Sequence, residues 1–377
     1  MRVRTISALC AVIAVIAVAG AVFLTGCASG HKQFVYVVGQ GTNEVFEFRE
    51  DRSGTLTPLG SPNFPAGSNP AATTVHTSGD FLYVADFAGN DVTLLDINAS
   101  NGNLSVPVSN SIVTPVNPPN IFNTGTGPIA LAMSPKAPFL YVANQGSGDI
   151  SVFTVDPGAG GLGGIAGSPF KITPASNPSA MAISPKGDFL YVANSTQGTV
   201  AGFAIGGDGK LTSVGAPLSL GAGATPNSIT VEHSGRFVYV ADTAHNSVQG
   251  FAIQGNGTLQ AINGSPFAAG ALPSAVTTDP QGALLFAANS GSNNVSAYVI
   301  DANSGALGQV GGSPFATGGA GPSALAVDAN NTMLYVTDAT THDIAGLAIL
   351  SNGSLAAVKG SPFPVATAGF GITMVLR

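Results

Sequence analysis

The stretch FLYVAN at residues 189–194 decides the fold, because variants of it recur along the whole chain. An aromatic residue within a run of apolar and β-branched residues occurs seven times, at intervals of 47 to 58 residues. A repeat of about 50 residues that contains several short strands is typical of a β-propeller, in which each repeat forms one blade. The central aromatic residues are Tyr36, Tyr83, Tyr141, Tyr191, Tyr239, Phe286 and Tyr335.

Each repeat divides into four predicted strands, separated by turns rich in Gly, Pro and Asn. In the repeat over residues 178–214, alternating and β-branched segments predict strands at 178–183, 189–193, 199–205 and 210–214. No stretch after the N-terminal segment has helical periodicity. The sequence therefore predicts an all-β fold, a seven-bladed β-propeller of four-stranded antiparallel blades over residues 34–377.

The two ends of the repeat region complement each other. The first repeat begins at its second strand, Phe34 to Val38, and the last segment, Phe370 to Leu376, is an inner strand without successors. Pairing the C-terminal strand with the N-terminal blade would close the ring and remove the open sheet edges. We therefore expect a closed ring that exists as a monomer.

A second motif, Gly-Ser-Pro-Phe, occurs at 167–170, 264–267, 312–315 and 360–363. Because proline donates no hydrogen bond, we interpret this motif as the crossover from the outer strand of one blade to the inner strand of the next. Its phenylalanine is expected to pack between blades. An irregular insertion is expected at about 105–127.

The N-terminus predicts export. Two arginines precede an apolar run from Ala8 to Leu24, and Leu24-Thr25-Gly26-Cys27 follows, which resembles the bacterial lipobox. This pattern predicts a signal peptide over 1–26, lipid attachment at Cys27 and a linker over 27–33. The alternative is a signal anchor that is not cleaved. We expect a lipoprotein of the cell envelope, held to a membrane by its N-terminal lipid, at the outer membrane or facing the periplasm.

Composition excludes several functions. The net charge is −7, only 8% of residues are charged, and no basic cluster occurs, so nucleic-acid binding is not expected. The two cysteines are Cys10 and Cys27, so the mature domain has no disulfide, no cysteine nucleophile and no cysteine-based zinc site. No cofactor motif is present, and we expect neither a metal nor a cofactor.

The LYVAN strands, the Gly-Ser-Pro-Phe segments and the Gly-x-Leu starts of the fourth strands resemble the lactonase-type seven-bladed propellers and the related YVTN repeats. The resemblance implies a sugar-lactone hydrolase similar to 6-phosphogluconolactonase. Family members carry Gly-Pro-Arg-His near the mouth of the central channel, where Arg contacts substrate and His acts as acid or base. This chain has Gly127-Pro128-Ile129-Ala130 there.

Polar side chains follow the second strand in six repeats, on the face where the inner strands begin, which we call the top face. A ring of such groups could bind a cation or a sugar, but one residue type in every blade also fits the capping of tight turns. The six are Asp86, Asn144, Asn194, Asp242, Asn289 and Asp338.

Three top-face features differ between blades. His245 and His342 lie close in sequence to Asp242 and Asp338, so each could act as a base held by a carboxylate. Gln40 replaces the Asp or Asn in the first blade.

Two functions remain. The first is a non-catalytic platform whose top face binds protein, glycan or a small lactone. The alternative is the sugar-lactone hydrolase implied by the family resemblance. The distinction depends on whether ionisable groups converge at the channel mouth, and the small residues after each inner-strand proline predict that they do not.

Overall fold

The structure is a computed structural model that describes residues 13–15, 32–107, 120–174 and 176–376. These residues form no helix, and seven antiparallel sheets are arranged as the blades of a closed ring. The predicted all-β, seven-bladed propeller is confirmed. We number the blades along the chain, beginning with the one that contains Gln33–Gly39.

The strands have the same order in every blade, from the channel outwards. The innermost strands, for blades one to seven, are Gly369–Leu376, Pro70–Val75, Pro128–Met133, Pro178–Ile183, Pro226–Val231, Pro273–Thr278 and Pro322–Val327. The second strands are Gln33–Gly39, Phe81–Asp86, Phe139–Asn144, Phe189–Asn194, Phe237–Asp242, Leu284–Asn289 and Met333–Asp338. The third strands are Glu44–Glu50, Asp91–Ile97, Asp149–Val155, Thr199–Ile205, Ser247–Ile253, Asn294–Ile300 and Asp343–Ile349.

The fourth, outer strand is continuous only in blade one, at Leu56–Pro65. In each other blade it consists of two short segments that both pair with the third strand. The pairs are Leu104–Ser105 with Ile121–Asn123, Leu162–Gly164 with Phe170–Lys171, Leu211–Ser213 with Leu218–Ser219, Leu259–Ala261 with Phe267–Ala268, Leu307–Gln309 with Phe315–Ala316, and Leu355–Ala357 with Phe363–Pro364.

This interruption corrects our interpretation of Gly-Ser-Pro-Phe. The motif is the break within the outer strand, and the crossover to the next blade follows it. In four blades the serine side chain replaces a strand carbonyl: Ser168, Ser265, Ser313 and Ser361 each accept a hydrogen bond of 2.8 to 3.0 Å from a third-strand N–H. The following phenylalanines pack against the apolar clusters between blades, as predicted.

The predicted insertion at 105–127 falls at the same break in blade two. Its end forms the short strand Ile121–Asn123, which pairs with the third strand Asp91–Ile97. This strand is therefore a regular part of the blade. Residues 108–119 lie outside the part of the chain that is described.

The ring closes as the sequence predicts. Gly369–Leu376 pairs antiparallel with Gln33–Gly39, so one blade contains both ends of the repeat region. Ile13–Val15 adds an antiparallel strand on the other edge of Gly369–Leu376. The rest of the predicted signal peptide, the linker up to His31 and the lipid site Cys27 lie outside the described residues.

The repeated aromatic residue joins neighbouring blades. In six blades a buried Tyr hydroxyl donates to the carbonyl of a glycine in the next blade, as Tyr191 does to Gly257 at 2.8 Å. Gly257 has a φ of +84°, and a Cβ there would lie 2.4 Å from the Phe189 ring, so only glycine fits. Blade six has Phe286 instead of Tyr and cannot make this bond.

Candidate functional site

A cavity of about 140 Å³ lies at the top end of the central channel. Each inner strand that opens with proline has a bulge there: Pro128 pairs with Asn144 while Ala130 pairs with Ala143, so Ile129 has no partner in the ladder. The residue after the proline lines the cavity in all six blades, which confirms its predicted place at the channel. These residues and their counterpart in blade one are Phe370, Ala71, Ile129, Ser179, Asn227, Ser274 and Ser323.

Four consecutive blades, four to seven, contribute polar side chains, which we call the polar arc: Ser179, Asn227, Ser274 and Ser323. Each serine hydroxyl donates across to the main chain of the next inner strand, at 2.6 Å for Ser179 to the Pro226 carbonyl and 2.7 Å for Ser323 to the Gly369 carbonyl. The polar arc therefore also joins blades.

The other three blades contribute Phe370, Ala71 and Ile129, which we call the apolar arc. Phe370 is 39% exposed, an unusual position for a large aromatic side chain. No Lys, Arg, His, Asp or Glu occurs among the residues that line the cavity. Ile129 lies where the family resemblance places an arginine. The described side chains thus make a mouth that is polar on one side, apolar on the other and uncharged.

The Asp and Asn residues predicted to follow the second strands are the last residues of those strands, lie outside this cavity and are fully buried. Each faces the first residue of the third strand across the hairpin, and Asn144 Nδ2 donates to Asp149 Oδ1 at 2.9 Å. In blades two, three, six and seven a glycine of the incoming crossover packs closely on such a pair: a Cβ on Gly125 would lie 2.6 Å from Asp149 Oδ1. This repeated arrangement holds the hairpin and the crossover together.

Two of the buried aspartates have a basic neighbour. Lys171 pairs with Asp149 at 2.7 Å, and His245 Nδ1 lies 2.6 Å from Asp242 Oδ2. The hydrogen bond to Asp242 raises the pKa of His245, and a further bond to the backbone of Ala222 acts in the same direction. Both favour the protonated imidazole, so His245 acts here as a counter-ion that binds the crossover.

Two other pairs have no such neighbour. Asp86 faces Asp91 in blade two, and Asp338 faces Asp343 in blade seven, and no Lys, Arg or His of the described chain pairs with them. Burial and the facing carboxylate raise the pKa of Asp338 to about 7. Burial likewise raises the pKa of Asp86 to about 8.

The other two top-face candidates are placed separately. His342 is exposed, has a φ of +59°, and forms neither an ion pair nor a hydrogen bond with the Asp338 side chain. Gln40 is half-buried in the corresponding loop of blade one, outside the cavity lining. The structure thus brings together His245 with Asp242, but neither lies at the channel mouth.

Comparison with known proteins bears on this site. The family model "Lactonase, 7-bladed beta-propeller" matches residues 27–225 and 220–319. The 6-phosphogluconolactonase of Bacillus subtilis (strain 168) is 28% identical over 130 residues, which are 34% of this chain. The match spans 35% of that relative's length.

Solved structures share the fold. The periplasmic gluconolactonase of Pseudomonas aeruginosa superposes with a TM-score of 0.76 at 19% identity, covering 91% of this chain and 99% of that one. A protein from Lactobacillus plantarum superposes with a TM-score of 0.73 at 16% identity, covering 92% and 99%. Because the family model matches most of the chain and the structure is a seven-bladed ring, this chain belongs to the lactonase family of seven-bladed β-propellers.

Proposed function

We propose that this propeller hydrolyses sugar lactones at the top mouth of its central channel. The observation that carries the proposal is the cavity of about 140 Å³, which a polar arc and an apolar arc line together. Concave sites with a few converging polar groups in an apolar surround are typical of small-molecule binding. Membership of the lactonase family and the similarity to the Bacillus subtilis enzyme support a lactone as the ligand.

Hydrolysis adds water to the ring carbonyl, breaks the ring C–O bond and transfers a proton to the departing oxygen, giving the hydroxy acid. The cavity side chains can bind and orient the lactone, which accelerates attack by fixing its geometry. The base has to come from outside the lining. His342 is the top-face histidine whose ring forms no hydrogen bond with described residues, so it is the first residue to replace.

A second function, binding without turnover, is favoured by one observation. The cavity lining contains no ionisable side chain, and acid–base catalysis needs such a group within reach of the reacting atoms. The top face would then be a platform that binds a small lactone, a glycan or a protein.

A pH-stat assay with purified protein on glucono-1,5-lactone, measured against spontaneous hydrolysis, separates the two functions. We expect a saturable rate above background, which falls at least about tenfold in His342→Asn if this histidine is the base. His233→Asn, a replacement on the opposite face, is the matched control. A rate equal to background for a folded protein contradicts the hydrolase proposal.

We further propose that the protein is exported and held in the cell envelope through a lipid on Cys27. The sequence Leu24-Thr25-Gly26-Cys27 supports this, and the Pseudomonas aeruginosa structural neighbour is described as periplasmic. Among the described residues, no helix is long and apolar enough to cross a membrane. Cells fed a palmitate analogue should label the wild-type protein and leave Cys27→Ser unlabelled. Equal labelling of both would contradict lipid attachment at this residue.

A further inference from the structure

The hydrogen bonds of the polar arc restrict what the cavity can bind. From them we infer that the ligand is an uncharged, polyhydroxylated lactone whose hydroxyl groups face the polar arc and whose C–H face lies on the apolar arc. This inference rests on the proposed function, since it names the substrate class of the same site.

The polar arc offers acceptors. A serine hydroxyl has one hydrogen and two lone pairs, and the hydrogens of Ser179, Ser274 and Ser323 already point to main-chain carbonyls at 2.6 to 2.7 Å. Asn227 donates through Nδ2 to Thr243, whose hydroxyl donates in turn to the Pro273 carbonyl. The free sites on the three serines are lone pairs, which bind hydroxyl groups of a ligand, whereas Asn227 keeps its Oδ1 acceptor and one Nδ2 hydrogen.

One hydroxyl group deeper in the lining can donate. Ser228 Oγ accepts a hydrogen bond from Val276 N at 3.1 Å, which leaves its own hydrogen for a ligand. Ser228 is therefore placed to donate to a lactone oxygen.

The same lining disfavours a phosphate. Phosphate recognition depends on Arg, Lys or clustered N–H donors, and the lining side chains include neither Arg nor Lys. The three serines of the polar arc would turn lone pairs towards the anion. On the opposite side, exposed Phe370 and half-buried Ile129 present an apolar surface that suits the C–H face of a sugar ring.

Equilibrium binding of hydrolysis-resistant lactams tests the inference separately from turnover. Calorimetry on the purified protein would compare three probes: the lactam analogues of gluconolactone, of its 6-phosphate, and of δ-valerolactone, which lacks hydroxyl groups. We expect the first to bind at least about tenfold more tightly than either of the others. Equal affinities, preference for the phosphate, or failure of the gluconolactam to bind would each overturn the inference.

Placing a cation at the mouth should reverse the selectivity. Ile129→Arg should raise the affinity for the phosphorylated lactam at least about tenfold and lower the affinity for the uncharged one. Ala88→Arg, an exposed top-loop position outside the lining, is the matched control and should change neither. If both variants raise phosphate affinity equally, the phosphate binds outside the cavity and the assignment is wrong.

The two proposals fail in different ways. Selective binding of gluconolactam without hydrolysis of gluconolactone would overturn the hydrolase and leave the ligand assignment intact. Hydrolysis of gluconolactone with unselective lactam binding would overturn the ligand assignment alone.

Discussion

Replacing Asp338 by Asn should stabilise the protein, and the gain should depend on pH. Asp338 is fully buried and faces Asp343. Burial and the facing carboxylate raise its pKa to about 7. At the equivalent place in blade three, Asn144 donates to Asp149 at 2.9 Å, so an amide at position 338 has a precedent within the same chain.

The direction of this pH dependence follows from proton binding by Asp338. The folded chain holds a proton on Asp338 up to about pH 7, whereas the unfolded chain releases it near the ordinary value of 3.8. Stability therefore falls as pH rises between these values, and the loss is complete above pH 7. Each pH unit between the two pKa values corresponds to about 1.4 kcal/mol, so the full penalty is about 4 kcal/mol. Asn carries no charge, and we expect a gain of about 2 to 4 kcal/mol at pH 8.5 and little at pH 4.5.

Urea unfolding at both pH values, followed by circular dichroism, measures this difference. Effects of pH on groups that do not interact with Asp338 are common to wild type and variant and cancel in the comparison. The reverse change at the equivalent position of blade six, Asn289→Asp, is the matched control and should destabilise the protein more at pH 8.5 than at pH 4.5. A pH-independent gain, or a less stable Asp338→Asn at pH 8.5, would refute the reasoning.

Three further predictions concern the contacts between and within blades. Phe286→Tyr should add the missing seventh Tyr–Gly bond, to the Gly353 carbonyl, and raise the free energy of unfolding in urea by about 1 kcal/mol. A lower free energy of unfolding would mean that blade six has no room for the hydroxyl. Ser265→Ala leaves Gly250 N–H without its acceptor at 3.0 Å and should cost about 1 to 2 kcal/mol in the same assay, whereas Ser304→Ala, in an exposed turn, should cost less. His245→Gln should destabilise the protein at pH 5.5 and much less at pH 9, because the protonated histidine with its raised pKa contributes stability that is lost as it deprotonates. An equal loss of stability at both pH values would exclude the ion pair with Asp242.

The repeats made the blades and their closure predictable, because Tyr191 and its six counterparts recur at a nearly constant interval and Gly369–Leu376 supplies the one missing inner strand. Gly-Ser-Pro-Phe was misassigned for a physical reason. A proline normally ends strand pairing, and the sequence does not reveal that the preceding serine side chain takes over a ladder hydrogen bond, as Ser265 does for Gly250. The position of the mouth residues after each proline was predictable. Which of their atoms remain free to bind a ligand was not, because their hydroxyl hydrogens are taken up by carbonyls of the next blade.

The positions of the hydrogen bonds between blades explain why the residues of the channel mouth can differ from blade to blade while the ring stays regular. Six of the seven blade interfaces have a buried Tyr–Gly bond outside the cavity lining, at residues that repeat almost unchanged. The mouth bonds exist only where the bulged residue is polar, and blades one to three have none there because they contribute Phe370, Ala71 and Ile129. The ring therefore closes without mouth bonds at three interfaces. Because a bulged residue also lies outside the strand ladder, its side chain can change without changing the register, and it is at this position that the seven similar blades form an asymmetric cavity.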